Sequence, residues 1–140
     1  MTEPQDETRI PVIIGIGQIN DRPADDADAL DSRQLMEAAI RAADADAGGG
    51  FISRIDWLGI TRQISFPSLD KTMVEGICTG LAITPAHAEQ SKGPNGDTPI
   101  KYLNDAANAI GEGRAKVAII AGAEALRTAA RRPDGGGIGR

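Results

Sequence analysis

Aromatic side chains make up only 3% of this 140-residue chain: one Trp, one Tyr and two Phe. A core must therefore be built from Ile, Val, Leu and abundant Ala, which suits closely packed layers of helix and sheet. Cysteine is nearly absent. Cys78 stands alone, so no internal disulfide can form, and a reducing compartment such as the cytoplasm is the expected location. Histidine is as scarce, and His87 without a second ligand or a nucleophile makes neither a metal site nor a triad. Positive charge is short too: 15 Lys and Arg against 20 Asp and Glu leave a net charge of -5. Nucleic-acid binding needs clustered cations to neutralise phosphates, so no nucleic-acid partner is expected. The one basic cluster (Arg127, Arg131, Arg132) is short and reads as a solvated helix end. Long hydrophobic runs are missing as well. Pro11–Ile16 and Val117–Ala123 are far too short to span a bilayer, and the acidic start MTEPQDETR has no apolar export signal, so no membrane partner is expected.

What is present is enough for one domain with a real core, since 41% of the residues are hydrophobic. Residues 1–9 read as a disordered lead, residues 10–132 as a partial domain and residues 133–140 as a Gly-rich tail. Within the domain, Pro11–Gly17 (PVIIGIG) is a continuous apolar run, as expected of a strand buried on both faces. A helix should open at Asp31 or Ser32, with Gln34 completing a capping box on Asp31, and end before Gly48-Gly49-Gly50. Ile55–Ile64 is a second strand. Met73–Leu81 is a short helix with Val74, Ile77, Cys78 and Leu81 on one face. Pro85–Ser91 is a more polar strand. Thr98 can cap the best-defined helix, with Pro99 in its first turn and Ile100, Leu103, Ala107 and Ile110 facing inward. That helix ends at Gly111 or Gly113, and Val117–Ala121 is the last strand. Alternating strands and helices of this kind imply an α/β layered domain with a largely parallel sheet.

Several motifs fail on inspection. Gly15-Ile16-Gly17 lacks the third glycine of a dinucleotide fingerprint, where Asn20 stands, and an acidic loop follows instead of a helix. In Gly93-Pro94-Asn95-Gly96-Asp97-Thr98, Asp97 occupies the place where a phosphate loop needs Lys. Cys78 lies on the apolar face of its helix with no cation beside it in sequence, and reads as a buried, inert thiol. His87, in its strand between Ala86 and Ala88, reads as an edge or partner contact. Two readings remain for the loop before Thr98. Asp97 can satisfy the helix end as an internal anion, or the backbone N–H groups there can bind an acyl carbonyl or carboxylate.

The stretch Lys92–Thr128 runs Gly-rich turn, amphipathic helix, tight turn, buried strand. With Ala106, Ala107, Ile110 and Gly113, then Val117–Ala121, then Gly122 and Glu124, it resembles the segment of thiolases that carries the reactive cysteine. The position of that cysteine falls on Gly96. A cysteine at a helix N-terminus has a lowered pKa and reacts as thiolate; Gly96 keeps the geometry without the nucleophile. The resemblance extends from the IPVIIGIGQ run to GAEALRT and is strongest to the thiolase-like group labelled acetyl-CoA acetyltransferases, near the sterol-carrier-type thiolases. Members of that group can show a similar run to Gly96-Asp97-Thr98-Pro99 where the nucleophile should be. After Glu124, Ala125-Leu126-Arg127 departs from the thiolase pattern, and Glu124 reads as a brace for its turn.

The resemblance implies an α/β/α thiolase-like half-domain, an incomplete piece of something longer. It implies acyl-group transfer between coenzyme A and a carbon nucleophile, with a coenzyme A thioester as substrate and no permanently bound cofactor. Gly96, Asp97 and Thr98 are the candidate substrate-binding residues, and no catalytic or metal-binding residue is assigned. The histidines and second cysteine that thiolases draw from their later half have no counterpart here. Two classes of function follow: an acyltransferase completed by a remaining thiolase half or a partner subunit, or a catalytically silent protein that binds acyl-CoA or a partner chain.

Overall fold

Trp57, Leu58, Gly59 and Ile60 are all buried, and they form the central strand of a parallel sheet. The computed structural model describes residues 6–135. Its strands are β1 (Trp57–Ile60), β2 (His87–Gln90) and β3 (Ala118–Ala121), in the order β2-β1-β3. The register pairs Trp57 with both His87 and Ala118, and Ile60 with Gln90 and Ala121. Four helices complete the domain: α1 (Ser32–Asp46), α2 (Met73–Leu81), α3 (Thr98–Gly111) and α4 (Leu126–Arg131).

Side chains alternate across a strand, so β1 serves two cores. Leu58 and Ile60 pack with Met36 and Ile40 of α1 and Ile77 and Leu81 of α2. Trp57, on the opposite face, packs with Tyr102, Ala106 and Ala109 of α3. The sheet thus lies between two helical layers, an α/β/α arrangement. Truncating a fully buried member such as Ile77 to Ala would cost about 2–5 kcal/mol.

Helix α1 begins as its sequence dictates. Asp31 accepts from the Gln34 N–H at 2.9 Å, and the Gln34 side chain accepts from the Asp31 N–H at 2.9 Å, a reciprocal capping box. Helix α2 closes with Ala82 in the left-handed region (φ 55, ψ 47), and the Ile83 N–H reaches back to the Cys78 carbonyl at 2.9 Å.

Three expectations need correction. Pro11–Gly17 is not a buried strand: it is extended chain outside the sheet, with Val12 and Ile13 about 70% exposed. Gly15 and Gly17 lie against the backbone of α1 at Ala43 and Ala39, and the Ile16 N–H donates to Asp46 at 2.9 Å. The run is held by a helix and has no ladder partner. The second correction concerns α3. Ile100 and Leu103, assigned to the core, are exposed, while Tyr102, Ala106 and Ala109 are buried. The helix is apolar on two sides, and the bulkier aromatic side packs onto Trp57. Third, the strand expected over Ile55–Ile64 stops at Ile60, because the chain beyond it turns toward Glu124. The 1–9 lead is described only from Asp6, where Glu7–Arg9 forms a short 3-10 turn capped by the Asp6 carboxylate. Of the 133–140 tail, residues 136–140 lie outside the described part.

Candidate functional site

In a parallel α/β sheet, side chains that act on ligands collect beyond the carboxyl ends of the strands. Three loops meet there in this protein: residues 61–66 after β1, residues 91–97 after β2 and residues 122–125 after β3. The first loop binds the other two. From its side, the Arg62 N–H donates to Ser91 Oγ at 2.9 Å, and the guanidinium donates to the Lys92 carbonyl at 2.6 Å and to Asp70 at 3.0 Å. Glu124, in the third loop, accepts from the N–H groups of Ile64 at 2.8 Å and Ser65 at 3.1 Å and from the Ser65 hydroxyl. Ser65 Oγ in turn accepts from the Ala125 N–H at 2.8 Å.

Behind this junction sits Gln63, only 2% exposed. Its amide donates to the Phe66 carbonyl at 2.8 Å and to Asp70 at 2.9 Å, and accepts from Phe66 N–H at 2.7 Å and Ser32 Oγ at 2.9 Å. A buried amide with every role taken is rigid, because losing any partner leaves a desolvated polar atom. Thr61 Oγ1 is the exception: it is buried without a partner among the described residues, close under Gly122.

The residues assigned from sequence fall on the second loop. Gly96 is exposed, and a side chain built there would meet nothing within 4 Å. Asp97 holds the N-cap position of α3, with no side-chain cap bond, so neither Asp97 nor Thr98 caps as expected. Thr98 is the first helical residue and is buried. Few backbone donors remain at this helix start. Thr98 N–H goes to the Asn95 carbonyl at 3.1 Å, Pro99 has none, and Lys101 N–H goes to the Asp97 carbonyl at 3.0 Å. The Ile100 N–H and those of the preceding turn are left for a ligand or water.

The chain's other reactive groups are elsewhere. Cys78 lies on α2, partly buried, and burial pushes its thiol pKa up, which suppresses the thiolate. His87 starts edge strand β2, whereas Gly96 follows the opposite end of that strand. The His87 ring stacks on Trp57 with centroids 5.2 Å apart, and Nε2 sits 3.1 Å from Glu89. No three His, Cys, Asp or Glu side chains cluster in a way that could hold a metal among the described residues. No helix of the described chain is long and apolar enough to cross a membrane.

Sequence reading placed Glu124 correctly as a brace but missed its partner loop. Nothing in the spacing of Arg62, Gln63 and Ser65 marks them, since each acts through a contact distant in sequence. The one local signal was Pro67, which ends the loop by opening the 3-10 helix Pro67–Thr72.

No family model matches the chain, and no curated protein matches it. Solved structures do. A monomeric SCP2-thiolase-like protein type 1 from Mycobacterium smegmatis aligns with TM-score 0.67 and 26% identity, over 81% of this chain and 23% of that one. A variant of OleA from Xanthomonas campestris, determined with cerulenin, aligns with TM-score 0.59 and 21% identity, over 75% of this chain and 33% of that one. This chain therefore spans a minor part of the length of either structure, and its layered α/β/α domain is a thiolase-like half-domain fold.

Proposed function

We propose that the chain is a segment of a thiolase-like acyltransferase of the acetyl-CoA C-acetyltransferase type, acting in lipid metabolism in the cytoplasm. In this reading a coenzyme A thioester is the substrate and approaches Gly96, Asp97 and Thr98. The observation that carries it is the open space at Gly96, at the start of α3 and at the carboxyl end of the sheet. The Ile100 N–H and those of the preceding turn can hold an acyl carbonyl, but the position offers no nucleophile. Any acyl transfer must draw its nucleophile and proton carriers from a remaining thiolase half or a partner subunit.

The alternative is a catalytically silent thiolase-like protein that binds acyl-CoA or a partner. The placement of Cys78 on α2 and of His87 at the opposite end of β2 from Gly96 favours it for this chain taken alone.

Calorimetric titration with acetyl-CoA, followed by intact-mass analysis, tests the proposal. Saturable binding without a covalent adduct is the expected result. Acylation of Cys78, or no binding of acetyl-CoA at all, would sink it.

A further inference from the structure

Asn95 and Gly96 are both exposed, in the loop that carries the chain from β2 to α3. Asparagine followed by glycine has a chemistry of its own. The side-chain carbon Cγ lies within ring-closing reach of the next residue's backbone nitrogen, and glycine puts no Cβ beside that nitrogen.

The surrounding structure leaves both reacting atoms free. The loop's side-chain hydrogen bonds end at Gly93, with Arg62 donating to the Lys92 carbonyl and Ser91 to the Gly93 carbonyl. Around Asn95 and Gly96 the one tie is Thr98 N–H to the Asn95 carbonyl at 3.1 Å, which engages neither Cγ nor the Gly96 nitrogen. A side chain built at Gly96 would meet nothing within 4 Å, so no neighbour walls off the nitrogen. Gly93 leaves space where a Cβ would lie 3.4 Å from the Asn95 amide nitrogen, the group that has to depart. The positive end of α3 adjoins the pair and favours both a deprotonated backbone nitrogen and an oxyanion on Cγ. Asn104 and Asn108 are exposed too, but they sit inside α3, where the following N–H groups belong to the helical ladder.

We infer that Asn95–Gly96 is a self-modification site, at which the side-chain amide converts to aspartate and isoaspartate without an enzyme. The Gly96 nitrogen gives its proton to water or hydroxide and bonds to Asn95 Cγ. The Cγ–Nδ2 bond breaks and the nitrogen leaves as ammonia, which closes a succinimide ring. Water then opens the ring. Attack at Cγ yields aspartate; attack at the Asn95 backbone carbonyl yields isoaspartate, whose main chain runs through Cβ and Cγ. Either product sets a carboxylate near Asp97 where a neutral amide stood, and the isoaspartate also lengthens the chain just before α3. The inference rests on the loop's own chemistry and not on acyl-CoA binding, so each can fail without the other.

The test is to hold the whole chain at mildly alkaline pH and follow its peptides by mass over time. Conversion at Asn95 should run at least about tenfold faster than at Asn104 or Asn108. It should give both products, and a protein isoaspartyl methyltransferase, used as the probe, should label the aged chain. A Gly96→Ala variant should react at least about tenfold more slowly with the fold retained, since its Cβ has open space. A synthetic peptide of residues 92–98 supplies the unhindered rate, and Asn95 in the chain should come within about tenfold of it. If the variant misfolds, that comparison still decides the matter. A chain slower than this would overturn the proposal, because the loop would then hold the reacting atoms apart. Equal rates at Asn104 or Asn108, an unchanged rate in a folded Gly96→Ala, or aspartate without isoaspartate would overturn it as well.

Discussion

Glu124 accepts hydrogen bonds from both the N–H and the hydroxyl of Ser65, a residue 59 positions away. With the Ile64 N–H as third donor, one carboxylate fixes the turn after β1 to the turn after β3. Replacing Glu124 by Ala should cost about 1–2 kcal/mol, at the low end for three bonds because the side chain is solvent-accessible. The loss should concentrate in faster amide exchange at Ile64 and Ser65, with β1 unaffected. Unchanged exchange at both would refute the brace.

At Gly96, the open surroundings predict that Gly96→Cys leaves stability within about 0.5 kcal/mol of the original. The new thiol should alkylate faster at neutral pH than Cys78, whose pKa is raised by burial. Timed intact-mass measurements with iodoacetamide, on Gly96→Cys with and without Cys78→Ser, separate the two thiols. A slower reaction at residue 96 would mean that the loop shields it.

Ala82 is the described non-glycine residue with positive φ, at 55°. A Cβ in that region meets the following carbonyl, so Ala82→Gly should stabilise the fold by about 0.5–1 kcal/mol, net of the added freedom of the unfolded chain. Denaturant midpoints compare the pair directly. A lower midpoint for the glycine variant would contradict the left-handed helix end.

Tyr102, packed edge-on against Trp57 with centroids 5.9 Å apart, has its pKa pushed up to about 12 by burial first and by Glu89 and Asp105 second. The unfolded chain releases this proton near the ordinary value of about 10. Stability from keeping Tyr102 neutral is thus complete below about pH 10 and is lost as pH climbs toward about 12, a loss of order 2 kcal/mol. Tyrosinate absorbance, which reports Tyr102 alone because it is the single Tyr, should stay low through about pH 10 in folded protein and rise only toward about pH 12 or on unfolding. A titration near pH 10 in folded protein would disprove the burial.

Much of the fold was legible because local rules decide it. The Asp31–Gln34 capping box, the α2 helix over Met73–Leu81 and the apolar core of β1 all follow from residue type and spacing. Pro11–Gly17 was misread because apolar content signals burial without naming the surface that buries. Its glycines fit against the α1 backbone, a fact that no periodicity encodes. Helix α3 was misread for a related reason. Ile100, Leu103, Ala107 and Ile110 form a valid amphipathic face, but Tyr102, Ala106 and Ala109 form another, and only the position of Trp57 chooses between them. At the candidate site, Gly96, Asp97 and Thr98 were placeable from the start of α3. Arg62, Gln63 and Ser65 were not, since their importance arises from partners brought near by the sheet.

The junction at residues 61–66 separates two kinds of evolutionary freedom. The segment around Gly96 is exposed and lightly held, so its residues can change with little structural penalty, and new chemistry can be tried there. Gln63 and Ser65 have no such latitude, because each substitution would release polar groups held in the interior, around Phe66 and Asp70 for Gln63 and around Glu124 and Ala125 for Ser65. A change of side chain at this helix start therefore leaves the scaffold below it intact.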